Sequence, residues 1–327
     1  MFVSLSEARN LATRALTKLG LSAEEADITA DHLLDCELRG LGYSGLARIV
    51  SIAERVPPAG VSKEPITVRK ETPVSALLDG GDNLGYLVAR RATELVIGKA
   101  SASGLGLVGA HNTWYTGMLS YYAEMATARD LVVFIASNAT PWVAPYGGTE
   151  ARFGTNPVCF GFPGNDGPVI WDIGTSEIIH AQVLLARRLG RELPPGVAFD
   201  AVGEPTTDPV RALSGAFAAW GGHKGSGLGI VVQLLGALAG SPILPGELHD
   251  FGFLVFAVQP GLLGSLDEFK QKVSDYAGVV RGTRPLAPDS PVRMPFDRSA
   301  ARRGEQIRQG GFEVPDEVYR AVSALSE

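Results

Sequence analysis

Apolar residues recur every three or four positions over residues 4–19 and again over 23–39, the spacing that lines one face of a helix. Between the two runs, "LSAEEAD" supplies Ser22 as an N-cap, with Glu25 three positions later to complete a capping box. The chain therefore opens on two helices. After "RVPPAG" (55–60) the pattern changes: "ITVRKETPVSALLDG" (66–80) alternates as strands do, 85–103 is helical, and "GLGLVGA" (104–110) reads as an apolar strand. Three strand-like runs follow, "LVVFIASN" (131–138), "NPVCFGFP" (156–163) and "PVIWDIGT" (168–175), separated by Gly and Pro turns. "HKGSGLGIVVQLLGALAG" (223–240) predicts a glycine-opened buried helix, and "FLVFAVQPG" (253–261) a strand that Pro260 stops. Helical spacing returns over 266–282 and near 315–325, with a Pro- and Arg-rich tail beginning at 283. The predicted class is α/β, a large central sheet framed by helices from both ends of the chain.

Composition narrows the chemistry. The chain has 327 residues, 45% of them apolar, enough to bury a sizeable core without staples. A net charge of -6 with scattered Lys and Arg gives no positive field for nucleic acid or an anionic membrane. Cys36 and Cys159 stand far apart without CxxC spacing, so neither a disulfide framework nor a metal cluster is expected, and a reducing cytoplasm fits. The opening "MFVSLSEARNLATRAL" lacks the unbroken apolar region of a signal sequence, and no apolar run reaches the ~18 residues of a membrane span.

Neither a Walker A pattern nor a GxGxxG between an early strand and a helix is present. "GGHKGSGLG" (221–229) places His223 and Lys224 at a helix N-terminus, where free N–H groups favour an anion, although small residues there also permit close packing. "YGGTEARFGTNPVCF" (146–160) packs glycines around Thr155 and Asn156, as a ligand loop or as a turn. "WDIGTSEIIHAQV" (171–183) sets a polar segment after a strand, with His180 eight residues beyond Asp172. "HNTWYTG" (111–117) brings aromatic rings beside Gly117, as core filling or as a platform for a flat ring.

Taken in order with "GLGYSGLAR" (40–48) and "LPPGVAFDAVGEPTTDP" (193–209), these segments resemble the type 2 malate/L-lactate dehydrogenase family from about residue 5 to 320. "GGHKGS", where hydroxyacid enzymes more often have "GGYKGY", looks more like that family's piperideine-2-carboxylate/pyrroline-2-carboxylate reductases. The resemblance implies a non-Rossmann fold, with residues 1–75 and 266–327 forming a helical substrate domain around a dinucleotide-binding sheet domain at 76–265. It implies NADPH or NADH as hydride donor, a small-molecule substrate and a homodimer. By position, Arg48 would hold a substrate carboxylate, and Thr155 and His180 would touch the substrate. Tyr115, Thr116, Gly117, Met118 and Leu119 would lie along the dinucleotide, as would Asp172, Ile173, Gly174, His223, Lys224, Arg293 and Arg298.

The proton-handling positions depart from the family. Tyr43 and Ser44 stand where the imine reductases carry a Ser-His pair, Gln182 stands for an aspartate, and Tyr115 for a histidine. Reducing a carbonyl builds negative charge on oxygen, and general-acid help there is worth ~100- to 10,000-fold. A cyclic imine entering as an iminium loses charge on reduction and tolerates the exchange better. Cyclic imine or imino acid reduction is therefore the expectation. The rivals are 2-oxo acid reduction with a tyrosine as acid, and dinucleotide binding without turnover.

Overall fold

The computed structural model describes residues 1–56 and 64–327. Positions 57–60 of the predicted turn lie outside the described residues. Strand β1 (Phe2–Ser4) leads into α1 (Leu5–Lys18), α2 (Ala23–Leu38) and α3 (Ala47–Arg55). The Ser22–Glu25 capping box is present at the start of α2, Ser22 Oγ accepting the Glu25 N–H and the Glu25 carboxylate accepting the Ser22 N–H. These helices bury Leu16, Leu33, Leu46, Ile49 and Ile52 in one core.

The stretch predicted to alternate is a hairpin, β2 (Thr67–Glu71) and β3 (Ser75–Leu84), and the sheet begins there. Helix α4 (Gly85–Ser103) crosses over to β4 (Leu105–Trp114), parallel to β3, which makes a βαβ unit. β4 runs four residues beyond the predicted strand, because Trp114 is buried and its indole N–H donates to the Asp82 carbonyl at 3.0 Å. Helix α5 (Leu119–Thr127), β5 (Val132–Ser137), β6 (Val158–Phe162) and β7 (Val169–Ile173) follow. A smaller layer of α6 (His180–Arg188), β8 (Ala198–Phe199), α7 (Pro209–Leu213) and β9 (Ala216–Phe217) packs on its own apolar cluster. The chain then passes through α8 (His223–Leu238) into β10 (Phe251–Val258).

β10 inserts between β4 and β5, giving the mixed seven-stranded order β2-β3-β4-β10-β5-β6-β7. That is not a doubly wound parallel sheet. Helix α9 (Leu266–Arg281), helix α10 (Asp297–Gln309), β11 (Gly311–Glu313) and α11 (Asp316–Ser326) complete the chain. β11 pairs with β1 and places Phe312 opposite Val3, closing the N-terminal helices over the C-terminal segment. Among the described residues no helix is long and apolar enough to cross a membrane.

One predicted feature is corrected. α8 is not buried all round: Ile230, Val231, Leu234 and Leu238 stand 46%, 49%, 57% and 67% exposed. Only the side carrying Gly229, Val232, Gln233 and Gly236 meets the sheet, so the all-apolar sequence hides two different surfaces.

Candidate active site

β3, β4, β5 and β7 run the same way, since the antiparallel β10 and β6 lie between the later ones. Their C-terminal ends meet the N-terminal helices at a cavity of about 430 Å³. Ligands in open α/β sheets collect at such strand ends.

From the helical side the turn after α2 presents Tyr43 and Ser44 to the cavity, and the first turn of α3 presents Arg48. Burial pushes the Tyr43 phenol up to about 12. Arg48 is buried, its Nη1 has no hydrogen-bond partner among the described residues, and its guanidinium carbon lies over the Tyr115 ring. From the sheet side the segment after β4 lines the cavity with Tyr115, Thr116, Gly117 and Met118. Tyr115 holds a left-handed backbone, φ +54°, which is uncommon for a bulky side chain. Burial raises its phenol pKa, with the Arg48 charge opposing. Gly117, φ +77°, has no alternative: a Cβ there would stand 2.5 Å from His32 Nε2 and 2.6 Å from Tyr86 Cε1.

The third wall comes from β7 and α6. Asp172, Ile173 and Gly174 line it, and the Asp172 carboxylate accepts the Ser120 N–H at 2.7 Å. Burial raises the Asp172 pKa, and the N–H groups of Ser120 and Leu119 oppose that rise. Thr155 reaches the cavity while its carbonyl accepts the Thr175 N–H at 3.0 Å, joining the two loops. His180 stacks on Trp142 with centroids 3.9 Å apart and planes 2° from parallel. Its Nδ1 is buried without a partner among the described residues, and burial, reinforced by Arg48, Arg187 and Arg188, lowers its pKa to about 3. Gln182 lines the cavity too, but its Oε1 accepts the Ile179 N–H at 3.1 Å and so caps α6.

Five residues assigned to the dinucleotide stand off the lining. Leu119 is fully buried in the sheet core and contributes only its backbone N–H to Asp172. His223 and Lys224 are exposed at the start of α8, the imidazole 6.1 Å from the Tyr146 ring. Arg293 is exposed on the C-terminal segment. Arg298 is exposed as well, near enough to Tyr43 to favour the phenolate.

Several cavity residues escaped the sequence reading. Tyr86, Trp142, Trp171 and Phe251 line the cavity alongside Tyr43 and Tyr115. Trp142 sits in "ATPWVAPYGG", where a tryptophan between two prolines in a turn was a usable signal. His32 lies one shell out: it accepts the Met118 N–H at 2.9 Å on a neutral ring whose pKa burial lowers to about 3. Inside a helical run nothing distinguishes it from a packed core residue.

A model of the malate/L-lactate dehydrogenase family matches residues 3–323. The L-sulfolactate dehydrogenase of Methanothermobacter thermautotrophicus is 35% identical over 337 residues, covering 100% of this chain and 96% of that protein. The Delta(1)-pyrroline-2-carboxylate reductase 1 of Burkholderia ambifaria is 30% identical over 338 residues, covering 99% and 97%. Among solved structures, a dehydrogenase from Sinorhizobium meliloti superposes with a TM-score of 0.89 at 32% identity, covering 100% of this chain and 98% of that one.

Proposed function

The chain belongs to the malate/L-lactate dehydrogenase family and is an oxidoreductase, and on that premise we propose that it reduces a cyclic imine or imino acid at the expense of a reduced nicotinamide dinucleotide. The observation carrying this reading is the burial, partial for Tyr43, of the two tyrosines and the histidine that line the cavity. Tyr43 and Tyr115 are pushed up, to about 12 for Tyr43, while His180 is pushed down to about 3. Neither a phenol held protonated nor an imidazole held neutral gives up a proton readily near pH 7. A substrate that arrives protonated needs no such gift.

The lining fits the flat end of a dinucleotide. Tyr115 and Trp171 line the cavity, and the left-handed backbone at Tyr115 and Gly117 turns the chain along it. Thr116, Gly117 and Met118, with Asp172, Ile173 and Gly174, would hold the group. When bound in its reduced form it supplies a hydride. The substrate carboxylate would pair with Arg48, whose unpartnered Nη1 and planar fork suit a bidentate anion. Thr155 and His180 would flank the ring and exclude water. Addition of hydride to the iminium carbon makes a C–H bond and sends the C=N electron pair to nitrogen, cancelling its charge. Gln182, whose oxygen already accepts the Ile179 N–H at the α6 cap, offers its amide N–H groups to the substrate.

If this is the chemistry, kcat/KM for an imino acid falls with rising pH through the substrate's own imine pKa, and removing a tyrosine hydroxyl leaves that limb in place. An alkaline limb that moves with a tyrosine would instead support the second reading, reduction of a 2-oxo acid. That reading is favoured by the 35% identity to an enzyme named for sulfolactate.

We further place the contact of a homodimer on the exposed apolar row of α8, with Ile243 and Leu244 beside it. The support is that these side chains, 46–67% exposed, form a patch of the kind that subunits bury.

A further inference from the structure

Glu37 lies in the last turn of α2 and is 5% exposed, yet among the described residues no cation pairs with it. Its Oε1 accepts the N–H of Leu46 at 2.7 Å. Leu46 is the N-cap of α3 and has no side-chain cap of its own, so the carboxylate of one helix caps the next, where the helix dipole favours negative charge. The intervening turn wraps around this group. A Cβ on Gly45 would stand 2.3 Å from Glu37 Oε1 and 2.5 Å from its Cγ, so the turn closes on the carboxylate because position 45 is glycine, and one on Gly42 would press on Oε2 at 3.3 Å. The same turn carries Tyr43 and Ser44, and the capped helix carries Arg48 in its first turn. We infer that Glu37 is a positioning residue for the cavity: it ties the Tyr43–Ser44 turn to the start of α3, so that Ser44 and Arg48 open on the same space.

The charges around it are spoken for. On its own helix Asp35 binds Arg39 and Arg303, and Arg39 also reaches Glu124. Arg302 of α10 lies against Gly40, and Arg48 of α3 turns to the Tyr115 ring. Cys36 beside it is a buried thiol, and Tyr43 on the turn is held as the phenol. Burial consequently raises the Glu37 pKa to about 7, with only the Leu46 N–H opposing. The cap is charge-assisted above that pH and weaker below it.

The test compares full-length wild type with Glu37→Gln and Glu37→Ala. Amide hydrogen exchange should rise about tenfold or more across residues 41–50 in Glu37→Ala, without an equal rise in β4, and stay near wild type in Glu37→Gln, which keeps the acceptor. With NADPH and pyrroline-2-carboxylate, Glu37→Ala should raise KM about tenfold through a misplaced Arg48, and Glu37→Gln should restore it. Wild type should lose kcat/KM on acidification with a midpoint near 7, a limb absent from Glu37→Gln. Unchanged exchange at 41–50 in Glu37→Ala, or equal damage in both variants, overturns the inference. If wild type does not turn over this substrate, exchange alone decides the role of Glu37, and it is the imine reading that has failed.

Discussion

The guanidinium carbon of Arg48 lies 4.1 Å from the centroid of the Tyr115 ring. Tyr115 reaches that position with φ +54°, a conformation costing roughly 1–3 kcal/mol for such a residue. The ring thereby orients the arginine through its face, and among the described residues no carboxylate of the protein competes for Arg48. Its charge stays available to a bound anion.

Replacing Arg48 tests that availability. Losing charge-assisted hydrogen bonds worth ~1.5–3 kcal/mol should raise KM for a carboxylate substrate about 10- to 150-fold in Arg48→Ala. Arg48→Lys should recover only part, since a point charge does not reproduce the fork. Dinucleotide affinity, read by fluorescence titration, should hold within about twofold. Unchanged steady-state kinetics would place the carboxylate elsewhere.

Tyr115→Phe keeps the ring beneath Arg48 and removes only the hydroxyl. On an imino acid, kcat should stay within about threefold of wild type across roughly pH 6–9. A fall of about 100-fold, with the alkaline limb displaced, would make Tyr115 the acid and contradict the view that the substrate arrives already protonated.

His32 and His180 are both buried and neutral, with pKa values near 3 against an ordinary 6.5. Between those values the unfolded chain binds more protons than the folded one. The stability each contributes is therefore complete above about pH 6.5 and is lost as pH falls toward 3, on the order of a few kcal/mol per group. Thermal melts from pH 7 down to 4 should show a steep acid loss in wild type and a shallower one in His180→Gln. Parallel curves would mean the imidazole is not held neutral by the fold.

The α8 row makes the fourth prediction. Wild type should sediment as a dimer at micromolar concentration, and Leu234→Glu, at the centre of a face 46–67% exposed, should be a folded monomer. A monomeric wild type, or a variant that still dimerises, removes this face from the contact.

Much of the layout was legible because local rules suffice for it. α4 begins at Gly85 and ends at Ser103, the predicted 85–103, with Gly104 in the left-handed conformation that closes helices. Helices α5 and α10 were not. In α5, "LSYYAEMAT" is nine residues long and lacks a side-chain N-cap; in α10, "DRSAARRGEQIRQ" buries only Gln306 and is anchored by Arg303 to Asp35 and by Asp297 to Arg281. Ion pairs between distant segments leave no periodicity to read. The insertion of β10 between β4 and β5 is likewise a long-range choice. At the site, four of the motifs, 40–48, 111–117, 146–160 and 171–183, send residues to one cavity, because loops at strand ends gather there once the sheet is formed. The strain at Tyr115 and the Glu37 cap depend on tertiary neighbours and were invisible, and of the aromatic walls only Tyr43, Tyr115 and Trp142 left a signal. His223 and Lys224 were conspicuous in sequence yet stand outside the cavity lining.

The most direct measurement is dinucleotide oxidation by the purified chain, with NADH and NADPH each offered pyrroline-2-carboxylate, piperideine-2-carboxylate, pyruvate and sulfopyruvate in parallel. The account predicts kcat/KM for the cyclic imines about 100-fold or more above that for either 2-oxo acid, the scale of help that a missing general acid withholds from a carbonyl. Reduction of a 2-oxo acid with the imines left untouched would contradict it.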